Sequence, residues 1–126
     1  MAEIIHGDLS YKIVGILYKV YNHLGGGYQE KYYQQAIKNE LLTQNIPFQE
    51  QVRSDLYYKK EKIGRYYIDF IIDLKIVLEL KVAPLFSTRD IMQVLGYPKQ
   101  SKLELGILVS LNRNNIHFKR ILRGKS

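Results

Sequence analysis

The chain has 126 residues, enough for one compact domain with one core, and 46% of them are hydrophobic. There is no cysteine, which excludes disulfides and thiolate metal sites, and the three histidines lack ligand spacing, so any metal would have to be held by oxygen. Nineteen basic against 12 acidic residues give a net charge of +7, which favours a polyanionic partner such as nucleic acid.

The sequence gives no sign of a second domain or of a membrane segment. No internal repeat, low-complexity tract or linker divides the chain, so we expect a single domain over residues 1–126. The N-terminus has no basic region followed by an apolar run, and no apolar stretch approaches membrane-spanning length. These features predict a cytoplasmic protein without membrane association.

Two helices are predicted at the start of the chain. Over residues 8–24 apolar side chains recur every three or four positions, as in an amphipathic helix, and three glycines end this pattern. Residues 28–45 predict a second helix that ends before a proline. Its core-facing stripe includes Tyr33, and Glu30 lies three residues before it. A carboxylate at the head of an apolar stripe predicts a polar partner there.

Strands are predicted next. Residues 48–52 and 55–59 resemble two short strands, followed by a charged turn over 59–64. Residues 66–82 then predict a hairpin of two apolar strands with a three-residue link, Asp73-Leu74-Lys75. The order of elements continues with a helix and two further strands.

The hairpin register brings three charged residues onto one face. A three-residue link pairs Ile72 with Ile76, which sets Asp69 opposite Glu79 and Tyr67 opposite Lys81. The other face then carries an unbroken apolar set: Ile68, Phe70, Ile72, Ile76, Leu78, Leu80 and Val82. A shift by one residue would bury the carboxylates in the core. The pattern therefore predicts two carboxylates and an ammonium group side by side.

The last third of the chain predicts a helix over residues 88–97 and strands over 105–111 and 116–122. One face of this helix carries Arg89, Gln93 and Tyr97. These side chains could contact a phosphate or a base, and an ordinary helix surface with a packed tyrosine explains the spacing equally well.

The three charged residues of the hairpin suit a divalent cation. Asp69 and Glu79 offer hard oxygen ligands for Mg²⁺ or Mn²⁺, to which the carbonyl of Leu80 and the carboxylate of Glu30 could be added. In phosphodiester hydrolysis such an ion polarises the phosphoryl group, and Lys81 would position the attacking water and help to deprotonate it. The alternative is a solvated salt-bridge face without function.

A known family shows the same pattern. The succession of an early Glu30, then Asp69, then Glu79-x-Lys81 and Gln93-x3-Tyr97 resembles the PD-(D/E)XK nuclease superfamily, with isoleucine in place of the proline that precedes the aspartate in its name. Residues 27–33, Gly-Tyr-Gln-Glu-Lys-Tyr-Tyr, are similar to the motif of its GxxExxY family. The Gln-x3-Tyr pair also resembles a motif of exonuclease domains in recombination helicase-nucleases.

The resemblance implies a restriction-endonuclease-like α/β core, a mixed central β-sheet flanked by helices in the order α-α-β-β-β-α-β-β. It implies Asp69, Glu79 and the Leu80 carbonyl as metal ligands. Lys81 would activate the water, and Glu30 would be a further acidic member of the site.

Residues and resemblance together lead to one hypothesis: a Mg²⁺- or Mn²⁺-dependent nuclease that hydrolyses DNA phosphodiester bonds by in-line attack of a metal-activated water. A homodimer is expected, because one small domain offers a modest surface for a duplex. Two alternatives remain open: a non-catalytic nucleic-acid-binding or assembly module on the same fold, and an RNA-directed nuclease.

Overall fold

The computed structural model describes residues 5–83, 87, 89, 91, 94 and 103–122. Its helices and strands are α1 (Gly7–Leu24), α2 (Glu30–Thr43), β1 (Phe48–Tyr58), β2 (Glu61–Ile72), β3 (Ile76–Lys81), β4 (Leu105–Leu111) and β5 (Ile116–Leu122). No helix in this described part of the chain is both long enough and apolar enough to cross a membrane.

The five strands form one mixed sheet in the order β1-β2-β3-β4-β5. Only β3 and β4 are parallel, and the other neighbours are antiparallel. A parallel pair needs a long crossover connection, and the chain between β3 and β4 provides it. The predicted mixed sheet is confirmed.

Helices α1 and α2 cover one face of this sheet. In α1 the buried side chains recur at helical spacing: Ile13, Ile16, Leu17 and Val20. Helix α2 is two residues shorter at each end than predicted. It starts at Glu30 because Gly27 has φ +97° and Gln29 is extended, and the left-handed Asn45, with φ +56°, lies just past its end. This face forms the larger core cluster.

The opposite face of the sheet is also covered. Ile71, Val77 and Leu108 form a second apolar cluster with Val94 and with the partly buried Ile91. The described residues of the predicted third helix, 89, 91 and 94, are helical. Both faces of the central strands are therefore buried, as a parallel β3–β4 pair requires.

The region predicted as two short strands and a long turn is one hairpin. β1 runs for 11 residues without interruption, and β2 starts at Glu61, so the prediction of a turn over 59–64 is wrong. The turn consists of Lys59 and Lys60, whose φ angles of 47° and 71° fit a tight two-residue connection. Polar residues inside β1 disturb the apolar alternation that predicts a strand. Most side chains of β1 face solvent, so the strand does not need that alternation.

Candidate active site

The two predicted carboxylates meet where β2 and β3 begin to separate. The β2–β3 ladder runs from Ile72 and Ile76, as predicted, to Phe70 and Leu78. At the next position the backbone pairing ends and a side chain accepts the hydrogen bond instead. The Asp69 N–H donates to Glu79 Oε1 at 3.0 Å. The Leu80 N–H donates to Asp69 Oδ2 at 2.8 Å. Each carboxylate thus caps the backbone of the opposite strand.

The pairing of β1 with β2 has a local break opposite Asp69. β1 pairs with β2 through Glu50 and Val52, and the position between them is skipped because Gln51 is left-handed, with φ 51°. Asp69 is the residue on β2 that faces this break. The Asp69 side chain reaches Gln34 of α2 and the Leu80 N–H of β3 from this position.

The break also corrects the predicted apolar face. Ile68 packs in the second cluster with Ile71, and not with Phe70 and Ile72, because the alternation of side chains shifts at the break. Val82, the last member of the predicted set, is 39% exposed. The predicted pairing of Tyr67 with Lys81 is wrong as well, since the ladder of these described strands ends before them.

Burial perturbs the pKa of both acids, and the negative charge of Asp69 adds to the shift of Glu79. Asp69 and Glu79 are 7% and 6% exposed. Burial, and next the negative charge of Asp69, raise the pKa of Glu79 to about 8. Burial likewise raises the pKa of Asp69. The positive charge of Lys81 opposes both shifts without cancelling them. The pair therefore holds more negative charge than its surroundings stabilise when both groups are ionised.

Gln34 is the site residue that sequence reasoning missed. Its Nε2 donates to Asp69 Oδ1 at 2.9 Å and to Glu30 Oε1 at 3.3 Å. Its Oε1 accepts from Gln51 Nε2 at 3.4 Å. Glu30 is thus connected to Asp69 through an amide. Within the described residues no three His, Cys, Asp or Glu side chains are grouped as a metal site. The spacing of Gln34 from Glu30, one helical turn, was the available signal.

Leu80 and Lys81 flank the carboxylates on β3. The N–H and carbonyl of one strand residue point to the same side, so the Leu80 carbonyl faces β2 as its N–H does. Lys81 is the half-buried last residue of β3 and pairs in register with Ser110 of β4. The backbone of Leu80 and the charge of Lys81 are thus both close to the acid pair.

The Gly-x-x-Glu-x-x-Tyr segment builds the start of α2. Gly27 takes a φ of +97°, which favours glycine, and Tyr33 is fully buried. The Tyr33 hydroxyl donates to the Gly25 carbonyl at 2.6 Å and accepts weakly from the Tyr28 N–H at 3.4 Å. The glycine and the tyrosine therefore fix the loop, and the loop places Glu30 at the first position of the helix.

Tyr33→Phe is expected to destabilise the protein by about 1 kcal/mol, because the partly buried Gly25 carbonyl loses its donor. Urea unfolding followed by circular dichroism measures this change. Tyr32→Phe is the matched control, since Tyr32 is half exposed. Equal stabilities of the two variants would show that the loop does not depend on the Tyr33 hydroxyl.

Of the predicted substrate-binding residues, only Arg89 lies among the described residues. Arg89 is helical and exposed. Gln93 and Tyr97 lie outside the described residues, so their predicted role stays a prediction.

Comparison with known proteins identifies the class of this fold and site. The sequence matches the family profile of the PD-(D/E)XK nuclease superfamily over residues 7–121. The chain therefore belongs to the PD-(D/E)XK nuclease superfamily, and the predicted restriction-endonuclease-like α/β fold is confirmed. The superfamily that this profile describes is one of nucleases.

One solved structure shows how the fold compares. The chain is similar to the crystal structure of SSO0001, with a TM-score of 0.59 and 21% sequence identity, over 76% of this chain and 51% of that one. The chain thus spans about half the length of that protein, and the likeness concerns the fold. No curated protein matches the sequence.

If Asp69 is a metal ligand, Gln34→Ala is expected to lower metal affinity and cleavage rate by roughly 10- to 100-fold, as the loss of a hydrogen bond that orients a metal-binding carboxylate does. The reason is that Asp69 would lose the donor at 2.9 Å that orients its Oδ1. Titration calorimetry with Mn²⁺ and a cleavage assay measure the two effects.

Gln35→Ala provides the matched control for this change. Gln35 is the neighbouring residue on α2, and its amide donates to Asn39 at the exposed surface. A Gln34 variant that behaved like the Gln35 variant would contradict the positioning role.

Proposed function

We propose that this protein is a Mg²⁺- or Mn²⁺-dependent nuclease that hydrolyses DNA phosphodiester bonds. The observation that carries the proposal is the buried contact between Asp69 and Glu79 at the end of the β2–β3 ladder. Two buried carboxylates in contact are unfavourable without a cation, and such strained acid pairs are typical of functional sites.

The donor set fits a hard divalent cation. Asp69, Glu79 and the carbonyl of Leu80 would hold the ion, since all three offer oxygen atoms and lie on the facing sides of two strands. Glu79 would give up its proton when the ion binds. The ion supplies a Lewis acid that polarises the phosphoryl group and neutralises negative charge on its oxygens.

The chain itself supplies the remaining functions. Lys81 positions the attacking water and helps to remove its proton. The water gives up a proton, through Lys81, to the solvent as its oxygen bonds to phosphorus in line with the leaving oxygen. The bond between the leaving oxygen and phosphorus breaks, and the leaving oxygen takes up a proton from solvent. Gln34 holds the Asp69 carboxylate in place, and Glu30, connected through Gln34, adds negative charge at the edge of the site.

A cleavage assay tests this proposal. Purified protein with Mg²⁺ or Mn²⁺ is expected to cut at least one of linear, single-stranded, flapped or branched DNA, with RNA assayed in parallel. Cleavage of RNA alone would assign the site to an RNA-directed nuclease. Salt-sensitive DNA binding without cleavage, indifferent to Asp69→Ala, would indicate a non-catalytic module.

Two finer statements belong to the same proposal. The positive φ of Gly27, the buried Tyr33 and the first helical position of Glu30 support membership in the GxxExxY family. We further propose a homodimer, because one small domain offers a modest surface for a duplex. Light scattering at working concentration is expected to give twice the 14.8 kDa chain mass, and a monomer would contradict this statement.

A further inference from the structure

β1 and β2 continue past the site as a two-stranded ribbon. We call residues 53–67 the ribbon arm. Its pairing runs from Arg53 and Tyr67 to Tyr58 and Glu61, and no third strand of the described chain pairs with it. At about 3.3 Å per residue, six paired positions extend roughly 20 Å from the site. The arm therefore projects directly from the strand that carries Asp69.

The ribbon arm exposes large apolar side chains that belong to neither core cluster. Tyr57, Tyr58 and Ile63 are 59%, 60% and 61% exposed, and Tyr67 is 50% exposed. Single exposed apolar residues are common, but several on one short ribbon are typical of an interaction surface. Tyrosine rings also pack well against sugars and bases.

The charge of the ribbon arm indicates the partner. The arm has five basic and two acidic residues, a net charge of +3. Asp55 pairs with Arg53 at 2.8 Å and with Lys62 at 3.5 Å. Lys59, Lys60 and Arg65 form no ion pair with any described residue. Lys59 Nζ lies over the ring of Tyr58, 5.4 Å from its centroid, which leaves its charge without a neutralising carboxylate. The three positive charges can therefore attract a polyanion.

The two residues of the turn at the tip of the arm have a backbone conformation that lysine does not favour. Both Lys59 and Lys60 are left-handed, a conformation for which Asn-Gly is the favoured pair in two-residue hairpins. Lysine at both positions places two ammonium groups at the outermost point of the arm. The left-handed backbone conformation is unfavourable for a residue that has a Cβ. Backbone strain of this kind concentrates at functional positions.

We propose that the ribbon arm binds double-helical DNA beside the cleavage site, with Lys59 and Lys60 on the phosphates and the tyrosines against the groove. A major groove about 12 Å wide admits a two-stranded ribbon. Because the arm extends β2, it would hold the duplex on one side of Asp69. This inference rests on the proposed function, since it takes DNA as the substrate.

The test is the salt dependence of binding, measured by fluorescence anisotropy with a short labelled duplex in EDTA. Lys59→Asn/Lys60→Gly is expected to raise the thermal midpoint by a few degrees, since it installs the favoured turn pair. It should weaken DNA binding about tenfold. The slope of the plot of the logarithm of the association constant against the logarithm of the salt concentration should become shallower by about 2, because two phosphate contacts are lost.

A matched double variant controls for net charge. Lys12→Gln/Lys75→Gln removes the same two charges, from exposed positions on α1 and at the opposite end of β2. It is expected to keep the wild-type slope. If the first variant loses stability, Lys59→Gln/Lys60→Gln keeps the side-chain bulk and removes the same charges, and the same loss of slope is expected.

The outcomes separate this inference from the proposed function. Wild-type slope in both ribbon variants, with DNA cleavage intact, would overturn the role of the arm alone. If the ribbon variants lower the salt slope with single-stranded DNA and leave it unchanged with duplex, the arm binds single strands, and the inference as stated is overturned. A wild-type protein that neither binds nor cleaves DNA would overturn the proposed function first.

Discussion

Glu79→Gln is expected to stabilise the metal-free protein at alkaline pH while it removes metal binding and cleavage. The glutamine Oε1 can still accept from the Asp69 N–H, so the backbone contact at 3.0 Å is retained. What disappears is the second buried negative charge. Glu79 would therefore lower the free energy of unfolding of the metal-free protein and still be required for function, a trade-off typical of active sites.

The sign of the pH effect follows from the direction of the shift. The pKa of Glu79 rises on folding from 4.5 to about 8, so between these values the folded state binds more protons than the unfolded state. Wild-type stability should then fall as pH rises through this window, by up to about 1.4 kcal/mol per pH unit. The variant should lack this contribution.

Thermal unfolding at about pH 6 and about pH 8.5, with and without Mn²⁺, measures both effects. The wild type should lose stability between the two pH values and regain it with the ion, because metal binding favours the ionised carboxylates. Glu50→Gln is the control, since it removes an exposed carboxylate that pairs with Lys38. Identical pH profiles of wild type and Glu79→Gln would contradict the strained acid pair.

Lys81→Ala is the second change with a large expected effect. Cleavage should fall by roughly 100- to 10,000-fold, the range for loss of a group that moves a proton in the transition state. Mn²⁺ binding should be largely retained, because the oxygen donors of Asp69, Glu79 and Leu80 remain. Single-turnover cleavage and titration calorimetry separate the two quantities.

Lys75→Ala is the matched control for this variant. Lys75 lies at the other end of the same hairpin, where it pairs with Asp73 at 3.3 Å on the surface. It should cleave at the wild-type rate. A Lys81 variant that cleaves normally would remove Lys81 from the mechanism, and one that loses Mn²⁺ would give it a structural role at the metal site.

The meeting of Asp69 and Glu79 could be predicted because it depends on local rules. The three-residue link sets the register from Ile72 and Ile76, and the apolar character of the strands excludes a shift by one. The helical stripe of Tyr33 similarly placed Glu30 at the start of α2. In both cases residues near in sequence determine the geometry.

Other features depend on contacts between distant segments. The left-handed Gln51 is a residue without any local preference for that conformation, and it shifts the side-chain alternation that sends Ile68 to the second cluster. Gln34 reaches Asp69 across 35 positions of sequence. The outer part of the ribbon arm lacks apolar alternation because nearly all of its side chains face solvent. Apart from the helical spacing of Gln34 from Glu30, these features leave no periodic signal.

Diffraction from crystals soaked in Mn²⁺, recorded at the manganese absorption edge, shows whether Asp69 and Glu79 hold one ion between them. We expect an anomalous peak in contact with the carboxylates of both residues, and no peak there in crystals of Glu79→Gln. Manganese bound only elsewhere, or a pair of acids that stays in contact without any ion at saturating Mn²⁺, would contradict this expectation.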